Sequence, residues 1–353
     1  MLLRVLFTVG AAVITAALFS PGEASAQRSL DQVFLTKGAP ARGDIPENGM
    51  TWDNVTLETT GNKRDIAVKD IVRITFKEEP AELNSARTSV LQKNFNQALT
   101  DLKKLDGQKF DREFIKQDIE FYRALCLARL AMSEGGDKAA AAEAMRRFTT
   151  SAPKNYHFYE AAEVLGDLAM ASGKWADAAK FYGPITAAKD WPENQMRANN
   201  AQGRALIGEK KFDEALEKFK AVIGSEQATP EALKQKNLAQ VGRAICVAET
   251  GSPQDGITAL QDLINKNDAQ DTALFARAYN ALGRCYLKLD KPKEALLALL
   301  HTDTLFYADS EAHAEALYHL SKLWPAVNKS DRGVAARNTL RERYAGSVWA
   351  TLD

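Results

Sequence analysis

Two hydrophobic periods divide the chain. Between Leu30 and Phe76 apolar and polar positions alternate, as in Val55/Leu57, Ile66/Val68 and Ile74/Phe76, which is the pattern of strands with one buried face. It predicts strands at Gln32–Thr36, Ala41–Ile45, Asn54–Thr59, Arg64–Val68 and Ile71–Phe76. The turn formers Lys37-Gly38, Asn48-Gly49, Gly61-Asn62 and Lys69-Asp70 separate them. Strands this short hide two sheet faces only if the sheet curls. Residues 28–80 therefore read as a small five-stranded β-barrel-like module, closed by Glu78-Glu79-Pro80. From Ala81 onward the period becomes helical, in paired amphipathic segments. The switch at Pro80 predicts two separate cores with little shared burial.

Within residues 81–353 small residues recur at fixed offsets. The clearest copy is Tyr279-x-x-Leu282-Gly283-x-x-Tyr286, with Ala295 following; Leu165-Gly166 with Ala178 and Tyr182 repeats it, as does Gly203 with Ala215 and Phe219. First-helix anchors fall at Ala86, Tyr122, Gly166, Gly203, Gly242, Gly283 and Ser321. Second-helix anchors fall at Ala98, Ala140, Ala178, Ala215, Gly256, Ala295 and Gly333. A glycine facing an alanine lets two helices approach closely while bulky neighbours fill the gaps. Pro192, Pro230 and Pro292 stand where helices begin. Turn formers at Met132–Asp137 and Thr250–Asp255 mark insertions.

These motifs resemble the tetratricopeptide repeat, whose first helix carries aromatic-x-x-Leu-Gly-x-x-Tyr and whose second carries the alanine. The resemblance implies a mainly α architecture: an α-solenoid of about seven helix pairs behind the β module. The β segment, on Val33-x-Leu35-x-x-Gly38, Gly43-x-Ile45, Val55, Ile66 and Asp70-Ile71-x-x-Ile74, is similar to the small Sm-like or SH3-like modules of exported bacterial proteins. Sm proteins bind RNA, but this copy lacks an aromatic and basic strand surface. A folded cap on the helices is the first reading, and an independent ligand-binding role the alternative. Leu340–Ala350 (LRERYAGSVWA) resembles the closing segment of repeats in Tol–Pal-associated and outer-membrane-assembly proteins. It has Ala345 where those carry proline, and the chain lacks their lipid anchor and coiled coil.

Residues 1–26 read as a signal peptide. Arg4 precedes an apolar run from Val5 to Phe19, Ser20-Pro21-Gly22 breaks it, and Ala24-Ser25-Ala26 supplies a small-x-small cleavage site. The run is shorter than the ~20 residues a membrane span needs; an uncleaved anchor is the alternative. The expectation is an exported protein, periplasmic or extracellular, with no transmembrane span in the mature chain. Forty-six basic residues balance forty-six acidic ones, which removes the global basic footprint of a nucleic-acid protein. Cys126, Cys246 and Cys285 lie in separate apolar helical segments, the setting of buried small hydrophobes.

No HExxH, GxSxG or GK[ST] phosphate loop occurs. His313 and His319 are on different helical faces, and His157 lies in the aromatic run YHFY as a packing contact. No cofactor or metal is expected, and the protein is not read as an enzyme. Basic residues follow most first-helix anchors: Arg123, Arg204, Arg243, Arg284 and Lys322, with Asp167 the exception. Two repeats share a longer string, Arg197-x-x-Asn200-x-x-Gly203-Arg204 and Arg277-x-x-Asn280-x-x-Gly283-Arg284. Offsets of three and seven place each set on one helical face. In the repeat family this face lines the concave surface, and similar clusters clamp acidic peptides. Arginine pairs bidentately with carboxylates, and asparagine can pair with a peptide backbone. The expectation is a protein-binding scaffold of the cell envelope whose concave face holds an acidic or extended peptide. Internal pairing of these arginines with neighbouring helices is the competing reading. A glycan- or peptidoglycan-processing role and a purely structural envelope role are the alternatives.

Overall fold

The alternating segment forms two small antiparallel ladders. β1 (Asp31–Leu35) lies between β2 (Ala41–Gly43) and β5 (Ile71–Thr75), while β3 (Asn54–Thr59) and β4 (Asn62–Ala67) make a hairpin with Val55 opposite Ile66. The protein is described by a computed structural model covering residues 30–188 and 191–352, so the expected signal segment lies outside the described residues. A bridge of Asp44 with Glu58 joins the ladders at one end. β4 and β5 do not pair, being separated by a single helical turn at Val68–Asp70. The strands lie where the alternation puts them, but the sheet is not a closed barrel.

The reason is that helices cover what closure would have covered. They come in seven pairs: α1 (Ala81–Leu91) with α2 (Phe95–Lys103), α3 (Glu113–Glu134) with α4 (Lys138–Ser151), and α5 (Phe158–Ala171) with α6 (Trp175–Thr186). Next are α7 (Pro192–Gly208) with α8 (Phe212–Ile223) and α9 (Pro230–Glu249) with α10 (Pro253–Lys266). The last are α11 (Thr272–Lys288) with α12 (Pro292–Thr304) and α13 (Ser310–Ala326) with α14 (Ser330–Arg343). Val33, Ile74 and Phe76 share one hydrophobic core with Leu83, Ala86 and Phe121. The expectation of separate cores is therefore corrected: apolar burial is continuous from the strands into the first helix pairs.

Polar bonds reinforce this junction. Asp31, fully buried, accepts from the backbone N–H of Ile45 and Lys77, both at 2.7 Å, and pairs with Arg112 at the start of α3. Arg87 of α1, about 1% exposed, bridges Glu79 at 2.8 Å and Asp118 of α3 at 2.6 Å. A buried guanidinium without such partners would be strongly unfavourable.

Every predicted first-helix anchor falls on an odd-numbered helix and every second-helix anchor on an even-numbered one. Ala140 is exposed, and Ala141 takes the buried place beside it. The glycines serve side chains more than backbones. A Cβ on Gly166 would stand 2.3 Å from the Tyr182 ring, and one on Gly203 2.5 Å from Phe219. Those rings lie one helical turn beyond the alanine anchors Ala178 and Ala215. Each pair also turns through one left-handed residue: Lys93, Gly135, Gly173, Lys210, Gly251, Asp290 and Asn328.

Candidate functional site

Successive first helices touch one another: α7 meets α9, α9 meets α11, and α11 meets α13. Their shared face bounds a cavity of about 610 Å³. Arg204, Arg277 and Arg284 stand in its wall beside apolar Ile207, Val241 and Trp349. A second cavity of about 370 Å³ continues it toward Arg129 of α3 and Asp167 of α5. Met170, Arg204, Glu311 and Val348 border both. The two form one interrupted channel along the inner face of the solenoid.

The structure splits the predicted residues into distinct roles. Asn200 donates to the carbonyl of Gln235 at 2.9 Å and to its side-chain oxygen at 2.8 Å. Asn280 donates to the carbonyl of Ala312 at 2.7 Å and to Glu315 at 3.1 Å. Both asparagines are buried stitches between consecutive first helices. Arg197 pairs with Glu163 at 2.9 Å, and Arg277 with Asp309 at 2.9 Å. Arg284 lies between Glu249 at 3.3 Å and Glu315 at 3.9 Å. Arg123 donates to the Leu102 carbonyl and pairs with Asp106, away from both cavities. Arg243 lines neither cavity; nor does Lys322, whose ammonium lies 5.4 Å from the Tyr318 ring centroid. Internal pairing thus describes Arg123, Arg197, Arg277 and Arg284.

Arg204 differs. Among the described residues it makes no hydrogen bond or ion pair, and its Nε is buried without a partner. Buried donors are nearly always satisfied, so an unmet one on a residue that lines both cavities is informative. Around the two cavities stand six cationic side chains, the others being Arg129, Arg277, Arg284, Lys288 and Arg343, against the carboxylates of Asp167, Glu249, Glu311 and Glu315. Burial raises the pKa of Asp167 and Glu315, partly offset by Arg129 and Arg284 respectively. Burial, helped by the charge of Arg284, lowers His319 in the same wall to about 4, so its imidazole is neutral.

Sequence reading missed most of the apolar half of the channel, Trp175, Ile207 and Leu238. Trp349 carried a signal, being in the segment singled out at Leu340–Ala350, but its distant contacts could not be read from spacing. His157 is buried and stacked on Phe121 at 3.6 Å, but it also faces Glu160 at 3.2 Å and Asp118 at 3.5 Å, so it is more than a packing contact. His313 binds Tyr344 at 2.7 Å and Asp303 at 2.8 Å. The cysteines are free and buried, and burial pushes the Cys285 thiol up to about 11. Among the described residues no group of His, Cys, Asp and Glu is arranged to hold a metal ion, and no helix is long and apolar enough to cross a membrane.

Residues 163–232, from α5 into α9, match the tetratricopeptide repeat family. No curated protein matches the chain. Among solved structures, a tetratricopeptide repeat protein from Parabacteroides merdae is 15% identical with a TM-score of 0.56, covering 74% of this chain and 92% of that one. The Rap conjugation gene regulator of the plasmid pLS20, in complex with the Phr* peptide, is 13% identical with a TM-score of 0.51, covering 75% of this chain and 84% of that one. At such identities the likeness concerns the fold. With seven stacked helix pairs and these likenesses, the helical part of the chain is an α-solenoid of the tetratricopeptide-like fold, matching that repeat family itself over residues 163–232.

Proposed function

We propose that this protein is a non-enzymatic binding scaffold that holds an acidic, extended segment of a partner protein in the channel along its first helices. Arg204 carries the reading: it stands at the junction of the two cavities, in a wall with more cations than carboxylates, and no hydrogen bond or ion pair holds its guanidinium, although Asp167 and Asp309 feel its charge. A carboxylate arriving there would form a charge-assisted hydrogen bond in a poorly hydrated place, where such bonds are strong. The pLS20 regulator, whose structure holds a peptide, offers a precedent for a peptide on this architecture. The glycan-processing alternative gains no observation, since Glu249 and Glu315 both face Arg284.

The reading is tested with Arg204→Glu, chosen because it breaks no internal ion pair. With an unchanged helical circular-dichroism spectrum, this variant should lose the partner that the wild-type protein retains from its host, and wild-type retention should weaken with salt. Undiminished retention by Arg204→Glu would defeat the proposal. We also place the activity outside the cytoplasm, on the pattern of Arg4, the apolar run and Ala24-Ser25-Ala26 alone. The intact mass of protein recovered from the host should lack residues 1–26.

A further inference from the structure

The segment after α14 turns back across the array. Gly346 presses against the end of α3, where an added Cβ would stand 2.2 Å from the Met132 carbonyl oxygen. Val348 is buried and reaches the α5–α6 turn, its Cγ2 3.5 Å from the place of a Cβ on Gly173. Trp349 packs on Tyr318 and His319 of α13, with ring centroids 5.4 and 5.7 Å apart. Nine residues, Tyr344 to Leu352, thus connect the second, third and seventh helix pairs and lie between the two cavities.

The strap is held by packing more than by hydrogen bonds. Its described backbone hydrogen bonds are local, from Tyr344 to Leu340, Ser347 to Tyr344 and Ala350 to Ser347. Its described polar bond to the walls runs between Tyr344 and His313. What remains is apolar packing: Gly346 against the end of α3, Ala345 beside Gly135, buried Val348, and Tyr344, Trp349 and Ala350 against the last helix pair. Residues 344–352 also contain no acidic side chain, so they cover the apolar part of the channel and offer Arg204 no carboxylate; the nearby charges it feels are those of Asp167 and Asp309.

We propose that residues 344–352 are a tethered competitor for the channel, standing in for a partner peptide of related chemistry. That peptide presents a small residue, an aliphatic side chain and an aromatic side chain where Gly346, Val348 and Trp349 lie, together with a carboxylate for Arg204. The proposal rests on the channel reading given above and adds to it what the ligand must displace. A tethered segment acts at an effective concentration in the millimolar range. A free peptide with only the strap's own contacts is therefore outcompeted. The additional bond to Arg204 is what lets the partner win.

The test uses the full chain, wild type and Gly346→Val, whose added side chain would meet the Met132 carbonyl. The probes are a fluorescein-labelled nonapeptide, YAGSVWATL, and its double variant YAGSAAATL, followed by anisotropy. Gly346→Val should speed amide exchange in residues 344–352 and bind YAGSVWATL about ten-fold or more tightly than wild type does. YAGSAAATL should not bind. Should Gly346→Val lose its helical spectrum, Tyr344→Phe, which removes only the bond to His313, replaces it with the same expectations. Faster exchange in the strap without tighter binding of YAGSVWATL would overturn the competitor. The two proposals fail separately. If YAGSVWATL binds the opened chain but the acidic version YAGEVWATL gains nothing, the competitor stands and the carboxylate role of Arg204 falls. If Arg204→Glu abolishes partner retention but no strap peptide binds the opened chain, the channel stands and the competitor falls.

Discussion

Phe219 of α8 is held between two glycines. Gly203 of α7 would place a Cβ 2.5 Å from the ring and Gly242 of α9 one at 2.3 Å, and the ring is about 1% exposed. Alanine is the better helix former by about 1 kcal/mol, but the ring cannot retreat from one helix without striking the other. Overpacking costs about 1–3 kcal/mol and wins, so Gly242→Ala should lower the urea midpoint at an unchanged slope. Pairing it with Phe219→Leu should recover part of the loss. Among the histidines, His319 gives a clean pH signature. Its folded pKa, lowered to about 4 by burial and then by Arg284, lies below the ordinary histidine value of about 6.5. The unfolded chain therefore binds the proton first on acidification. Stability from this group is full above about pH 6.5 and falls as pH drops toward 4. Denaturation midpoints of His319→Gln should fall less across that window than those of wild type.

At the scale of elements, the seven turns within helix pairs share one backbone requirement, and four of them meet it without glycine: Lys93, Lys210, Asp290 and Asn328 all have φ between 55° and 60°. A β-branched residue is a steric outlier there. Lys210→Val should therefore cost about 1–2 kcal/mol more than Lys210→Gly, read as the difference between their melting temperatures. The helix pairs were legible because their small anchors recur at near-constant offsets that survive changes in loop length. Strand positions were legible for the same local reason, since alternation is a property of neighbours. Strand closure was not, because it depends on whether sheet or helix covers Ile74 and Phe76, and that choice is made by residues far along the chain. The arginine partners escaped for a related reason. Glu249 reaches Arg284 from 35 residues away, across a helix pair, and no spacing rule within one helix contains it.

Over the whole molecule, the strand module and the first helix pairs should unfold as one unit, because they share one hydrophobic core. Asp31→Ala would leave two backbone N–H groups without their acceptor and Arg112 without its carboxylate, holding only the Ile45 carbonyl. Losing one partner of a buried ion pair costs about 3 kcal/mol or more, and the loss should appear in the melting of helices as well as strands. A chain beginning at Glu78 should likewise lose part of its helical circular-dichroism signal, since Leu83, Ala86 and Phe121 would be stripped of Val33, Ile74 and Phe76. Retention of the full signal would show that the helices stand alone.

A stacked helical array is mechanically a spring: repeats contact only their neighbours, so small rotations at each junction add up and the coil stretches easily. The return of Gly346 and Val348 to the second and third pairs changes that mechanics. With its last turn fastened near its beginning, the spring becomes a clasped ring of set circumference, and strain at one junction must be shared by all the others. Unfastening the clasp would restore compliance to the entire coil at once. A ligand no larger than a few residues could then set the pitch of a surface far wider than the one it touches.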